Sequence, residues 1–466
     1  RDRSPSRGLG DVYKRQVLSQ LLKKSSPQQG IILYYLFAIV VAFLLLNLPY
    51  VHKQGVEVNP IDTLFVAVSG ISVTGLSPIT IVDTYSTFGQ IIILIILNIG
   101  GIGVMAIGTM LWVVLGKHIG IRERQLIMLD NNRDTMSGTV KLILEIVRTI
   151  FIIEFIGALL LAFYFYRDNP DLKNALMQGV FVSVSATTNG GLDITGESLV
   201  PYAKDYFVQT IVMFLIVLGS IGFPVLLELK AYIKNRVTNF RFSLFTKITT
   251  TTYLFLFLFG VIVVLILEHS NAFKGLSWHQ SLFYALFQSS TTRSAGLQTI
   301  DVSHFSDATN IVMGLLMFIG SSPSSVGGGI RTTTFAILIL FVINFNNTGD
   351  KTGIKIFNRE VHIMDVQRSF AVFTMASLIT FISMIIISAT EQGKLSFLQI
   401  FFEVMSAFGT CGLSLGVTSD INDITKVVLM ILMFIGRVGL ISFIIMLAGR
   451  KEPEKYSYPK ERIQIG

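Results

Sequence analysis

The chain has 466 residues, 52% hydrophobic and 14% charged, with a mean hydropathy of +0.65, which excludes an ordinary soluble multidomain protein and identifies an integral membrane protein. Its net charge of +8 lies in short basic tracts between apolar runs, the positive-inside pattern, and argues against nucleic-acid binding. A single cysteine, Cys411, excludes an intramolecular disulfide and a cysteine zinc cage.

Residues 1–16 carry neither an initiating Met nor an apolar pattern and read as a non-native leader outside the fold. The first apolar run, Ile31 to Leu48, is long enough to cross about 30 Å of hydrocarbon as a helix. Alternating strand-length segments are lacking, so a β-barrel is disfavoured. After Asn59-Pro60, a helix-start signal, comes an apolar segment too short to span, which predicts a re-entrant half-helix. It ends in VTGL at Gly75, and the next apolar stretch, a second spanning helix, contains Gly100.

The pattern then recurs. Lys141 to Phe165 is followed by a start at Asn169-Pro170, NGGL at Gly191, and Gly219 in the next apolar stretch. Thr246 to Leu267 is followed by a capping-box pair, Ser277 and Gln280, then SAGL at Gly296, then Gly320. Gln367 to Thr390 is followed by Ser396 and Gln399, TCGL at Gly412, and Gly436. The Gly-Leu turns are 116, 105 and 116 residues apart (191−75, 296−191, 412−296). The expected fold is therefore all-α and membrane-integral, with four tandem helix, half-helix, helix repeats around a pseudo-fourfold pore. The repeats run over 17–116, 117–230, 231–345 and 346–466. Glycines that merely allow close helix packing would explain one such turn better than four matched ones. Glycine at the axis lets backbone carbonyls face the permeant species.

Between repeats lie Lys117, Arg122, Arg124 and Arg133, then Lys230, Lys234, Arg236, Arg241 and Lys247, then Lys351, Lys355, Arg359 and Arg368. With Arg450, Lys451, Lys455, Lys460 and Arg462 in the tail, they place these linkers and both termini in the cytoplasm. Asp83, Asp193, Glu197, Asp205, Asp301, Asp307, Asp420 and Asp423, against Lys204 alone, mark the outer face and attract cations. Each half-helix then points its negative dipole end at the membrane centre, which favours a cation there.

SAFGTCGLSLG (406–416), MFIGRVG (433–439), TTRSAGL (291–297) and FIGSSPSSVGGGIRTTTF (318–335) together resemble the potassium-translocating subunit of the Trk/Ktr/HKT superfamily, nearest the bacterial KtrB type. The resemblance runs from Ile31 into the tail. It implies a selectivity filter of Val73, Thr74, Gly75, Asn189, Gly190, Gly191, Ser294, Ala295, Gly296, Thr410, Cys411 and Gly412, with K+ at the carbonyls of Thr74, Gly190, Ala295 and Cys411. Four filter glycines mark a potassium-preferring member; sodium-preferring plant relatives have Ser at the first. Cys411 departs from the small aliphatic residue common before the fourth glycine and is expected to alter packing only.

From Asn310 to Asn344 the apolar stretch is too long for one span and holds a run that cannot stay helical: Gly320, Ser321, Ser322, Pro323, Ser324, Ser325, Gly327, Gly328 and Gly329. The resemblance implies an intramembrane gating loop at 320–330 beneath the filter, the alternative being a static helix break. GGG is no phosphate loop, since no GxxxxGK[ST] follows. Arg437, in an otherwise apolar helix, should face the bundle interior, and the resemblance assigns it to the cavity below the filter as part of the gate. Arg293 is expected to brace the filter through carbonyls or Glu403, and Arg331 to meet a partner or lipid headgroup. Glu145, Arg148 and Glu154 read as structural or interfacial. The asymmetric residues imply a filter that is nearly fourfold above a gate that is not.

The expected function is channel-like K+ uptake across the bacterial plasma membrane by a multi-pass, non-enzymatic subunit with no cofactor of its own. The resemblance adds a homodimer in membrane lipid, resting on a cytoplasmic RCK-type nucleotide-binding ring, with Na+ as an activator. Rival readings are a Na+ or weakly selective cation transporter and a non-conducting assembly subunit. A membrane enzyme is disfavoured by the lack of HExxH or clustered His, Cys and acid residues in the spans.

Overall fold

The computed structural model describes residues 27–114, 120, 124–125, 138–168, 170–235, 240–345 and 354–448. The leader, Asn169, the tail after 448, and Lys117, Arg122, Arg133, Arg236 and Lys351 lie outside the described residues. Four described helices are long and apolar enough to cross a membrane. They are α1 (Pro27–Leu46), α6 (Thr139–Asp168), α10 (Leu244–Glu268) and α14 (Ile363–Glu391).

Each is followed by a helix of 13 to 16 residues, too short to span: α2 (Pro60–Ser72), α7 (Leu172–Thr187), α11 (Trp278–Thr291) and α15 (Phe397–Gly409). Ser277 and Ser396 cap α11 and α15 as expected, their amides donating to Gln280 and Gln399 at 3.2 and 2.9 Å. Asn59 starts α2 ahead of Pro60, but its side chain makes no cap bond. The second half-helix starts later than Asn169-Pro170 predicts. Asp171 is its cap, accepting from the Lys173 and Asn174 amides, because a carboxylate can satisfy two first-turn donors at once.

The second helix of every unit is broken, where the sequence predicted a break only in the third. A short α3 (Ile81–Thr84) precedes the first pair, α4 (Thr87–Ile102) and α5 (Val104–Val114), which meet at 101°. The second pair, α8 (Tyr206–Ser220) and α9 (Phe223–Asn235), meets at 105°. The third pair, α12 (Asp307–Ile319) and α13 (Thr332–Asn344), is separated by the loop, and the fourth, α16 (Asp423–Val438) and α17 (Leu440–Ala448), by Gly439. The physical reason lies in Gly103, Gly222 and Gly439, whose φ values of 102°, 104° and 92° no helix can hold. A two-residue hairpin, β1 (Lys355–Ile356) with β2 (Arg359–Glu360), joins the third unit to the fourth.

Two buried glutamates orient the later units. Glu268, at the end of α10, accepts from the Ser306 amide and hydroxyl at 2.9 and 2.7 Å and from the Thr309 hydroxyl, at the start of α12. Glu391, ending α14, accepts from the Asn422 amide at 3.0 Å and the Thr425 hydroxyl at 2.7 Å, at the start of α16. Each carboxylate thus ties a first helix to the capped start of its second.

Candidate functional site: a ring of four glycine turns

The four short helices end alike. Two residues before each turn glycine, the chain turns left-handed, at Val73 (φ 56°), Asn189 (54°), Ser294 (73°) and Thr410 (47°). The glycines Gly75, Gly191, Gly296 and Gly412 have φ of 94°, 63°, 72° and 96°. Left-handed Val and Thr are conformational outliers, so packing enforces this backbone. Amides of the intervening residues cap the helices, from Thr74 to Ser69 O, Gly190 to Ser185 O, Ala295 to Thr291 O and Cys411 to Ser406 O, at 2.7 to 2.9 Å.

The turns close a ring in chain order. A Cβ added to Gly75 would meet the Gly190 oxygen at 2.8 Å, and one on Gly191 the Ala295 oxygen at 3.1 Å. On Gly296 it would strike the Cys411 oxygen, and on Gly412 the Thr74 oxygen. The four carbonyls named from the sequence are therefore brought together, one from each unit. Two turn side chains bond backbone of a neighbouring unit: the Cys411 thiol donates to Thr291 O at 3.3 Å, and the Ser294 hydroxyl to Gly409 O at 2.8 Å.

Sequence reasoning missed the hydroxyls that hold the turns. Ser69 and Ser406, each six residues before a turn glycine, accept from the Gly75 and Gly412 amides at 3.0 and 3.1 Å. Ser185 and Thr291 instead donate to the carbonyls of Leu192 and Leu297. A hydroxyl five or six residues before each Gly-Leu pair was the available signal. Glu403 likewise holds the segment after the fourth turn, accepting from Ser414 and Thr418.

Beneath the ring lies the loop from Gly320 to Ile330, buried except for a half-buried Ser324. A Cβ on Gly327 would meet Ser294 Cβ at 2.6 Å, and one on Gly328 would meet Thr410 Oγ1 at 2.6 Å, so the loop packs directly on two of the turns. It also binds the second unit, through Ser322 N to Ser220 O (3.1 Å), Val326 N to Gly219 O (3.3 Å) and Phe223 N to Ser324 O (2.8 Å). Arg437 ties it to the others. Its guanidinium donates to Val326 O in the loop and to the carbonyls of Gly100 and, at 3.0 Å, Gly101 in the first unit. A cavity of about 110 Å³ lies at this level, bordered by Arg437, Arg331, Gly103 and Gly439.

Three charged residues differ from expectation. Arg331 turns back into the loop, donating to Gly327 O, Ser322 O and Ser321 Oγ. Arg293 is fully buried, but no hydrogen bond to its guanidinium nitrogens is found among the described residues, and Glu403 is engaged elsewhere. Lys426 joins Lys204 on the side where acids were counted. It pairs with Asp62 at 2.6 Å, side chains 9% and 12% exposed, clamping the start of α16 to the first turn of α2. Glu145 pairs with Lys230 at 4.0 Å, while Glu154 O accepts from Ser183 at 2.7 Å.

A family model described as TrkH, cation transport protein, matches residues 23–457. The chain belongs to this family. Among its relatives, the Ktr system potassium uptake protein D of Bacillus subtilis is 50% identical over 453 residues, covering 97% of this chain and all of the relative. The Ktr system potassium uptake protein B of the same organism is 32% identical, covering 95% and 97%. The potassium/sodium uptake protein NtpJ of Enterococcus hirae is 32% identical, covering 95% and 98%. The potassium transporter TrkH from Vibrio parahaemolyticus has the same fold, with a TM-score of 0.70 at 18% identity over 91% of this chain and 85% of that one. These TrkH-family relatives are transport proteins, not enzymes. The resemblance noted in the sequence is thus confirmed, with protein D at higher identity than protein B.

Proposed function

We propose that this TrkH-family chain is the pore-forming membrane subunit of a K+ uptake system. The observation that carries the reading is the ring of Thr74, Gly190, Ala295 and Cys411 carbonyls, drawn from four units by glycines that leave no room for a side chain. Backbone oxygens in a ring replace part of the hydration shell of K+. Full-length similarity to a potassium uptake protein supports the ion.

In this reading the units run over 17–116, 117–230, 231–345 and 346–466, and residues 73–75, 189–191, 294–296 and 410–412 form the filter. The loop from Gly320 to Gly329 and Arg437 form the gate beneath. The ion enters from the acidic face, loses water in the ring, and passes inward when the loop yields. A membrane potential supplies about 2.3 kcal/mol per charge per 100 mV, so the subunit needs no hydrolysis of its own. The basic linkers and both termini face the cytoplasm of a bacterial cell, where a homodimer rests on a nucleotide-binding RCK-type ring and Na+ acts as activator. Two relatives named as parts of a Ktr system support a multi-component assembly.

A weakly selective monovalent-cation transporter is the second reading, favoured by the relative named for both potassium and sodium. Competitive Rb+ uptake into liposomes containing this chain distinguishes them. Rb+ entry blocked by excess K+ and untouched by equal Na+ is the expected result. Equal competition by Na+ establishes the second reading, and no flux with or without a cytoplasmic ring leaves a non-conducting assembly subunit.

A further inference from the structure

A groove of about 900 Å³ opens sideways between α10, α12, α13 and α14. Its wall carries Phe255, Leu315, Ile339 and Phe381, all strongly exposed although they lie on apolar membrane-level helices, so the medium at its opening is hydrocarbon. Its floor includes Ile319 and Ile330, the residues that bracket the Gly320–Gly329 loop. They anchor it through Ile330 N to Phe318 O (3.2 Å) and Arg331 N to Ile319 O (3.0 Å).

The other end of the groove has a different chemistry. Ile356 and Phe357 of the hairpin line it there. The left-handed pair Phe357 and Asn358 turns the chain so that Arg359 stands opposite Ile356. Lys247 Nζ sits 5.7 Å from the Phe357 ring centroid. Both cations are exposed, and among the described residues neither has a carboxylate partner. Lys355, by contrast, faces Glu360 across the hairpin, and Arg368 lies 3.7 Å from Asp365. An apolar slot in the bilayer with two unmatched cations at its mouth has the charge pattern of one molecule, an anionic diacyl phospholipid. A zwitterionic lipid would fill the slot but give the cations no net charge to meet.

We propose that this groove binds an anionic phospholipid, one acyl chain lying against Ile319 and Ile330 and the phosphate on Lys247 and Arg359. The chain fills the space beside both ends of the loop, so the bound lipid braces the segment beneath the ring. Lipid binding is independent of which ion passes. Only its effect on flux rests on the proposed gate.

The test uses the full chain in nanodiscs of phosphatidylcholine with or without phosphatidylglycerol, with retained lipid counted by native mass spectrometry. A basic group near the headgroups contributes about a factor of five in affinity. Wild-type protein should therefore retain phosphatidylglycerol selectively, and the double variant K247Q/R359Q should lose at least about tenfold of that preference. Ser377→Trp, which fills the groove without touching either cation, should displace the lipid from folded protein. Equal retention of both lipids, unchanged retention in both variants, or a cross-link through position 381 joining two copies would overturn the site. Rb+ flux that responds to phosphatidylglycerol in wild type but not in Ser377→Trp supports the brace; flux indifferent to the lipid in both overturns it.

Discussion

The ring and the layer beneath it are built from the same repeated segment, yet they tolerate variation in opposite ways. In the ring the backbone is constant, left-handed two residues before each glycine and again at the glycine, while the intervening residue is Thr, Gly, Ala or Cys. In the layer beneath, a left-handed glycine recurs at each break, but one break is a twelve-residue loop and another carries Arg437. In the ring φ is restricted while the side chains differ; in the layer beneath, the four positions have diverged.

That contrast can be broken most severely at the ring. Gly412→Ala places a methyl on the Thr74 oxygen and strains a φ of 96°, so K+ uptake should fall by about 100-fold in Rb+ flux assays. Near-normal flux would mean that these carbonyls do not line the path. Next in size is the seam between the fourth and first units. Asp62→Asn leaves the buried Lys426 with only the exposed Asp423, 3.6 Å away, as counter-charge, a loss of up to about 3 kcal/mol that thermal unfolding should register, and the double variant D62L/K426M should recover most of it. Equal melting of single and double variants would show that the pair holds nothing.

Arg437→Gln tests the lower layer. It frees the loop carbonyl of Val326 and those of Gly100 and Gly101, and flux should rise about fivefold, the effect of losing roughly 1 kcal/mol of restraint. Unchanged flux in a well-folded variant removes Arg437 from the gate. The smallest effect is expected at Cys411→Ala. The thiol is a weak donor already engaged with Thr291 O, so flux and ion competition should stay within about twofold of wild type. A larger change would mean that ring side chains matter after all.

Much of this was legible from the sequence, for identifiable reasons. Span lengths follow from apolar runs, half-helices from runs too short to cross, and the ring from the recurrence of Gly-Leu after capped starts. The breaks at Gly103, Gly222 and Gly439 were not legible, because a lone glycine in an apolar helix reads equally well as a packing contact. Gly100, Gly219 and Gly436 do pack closely, on carbonyls of Ile71, Thr187 and Phe408. Only the structure separates that role from the break three residues on. Lys426 escaped notice because counting charges by segment treats a buried cation like a solvated one. The caps at Glu268 and Glu391 depend on partners more than 30 residues away, beyond any local spacing rule.

The contact between Gly412 and Thr74 spans 338 residues (412−74), and it is the last link of the ring. The turn made last of the four must therefore find the one made first, already inserted in the bilayer. The first three turns wait during synthesis with a fourth side missing, and a chain truncated before the fourth turn leaves the ring open. The buried pair of Lys426 with Asp62 lies at this same junction, so the charges that meet there also register its closure.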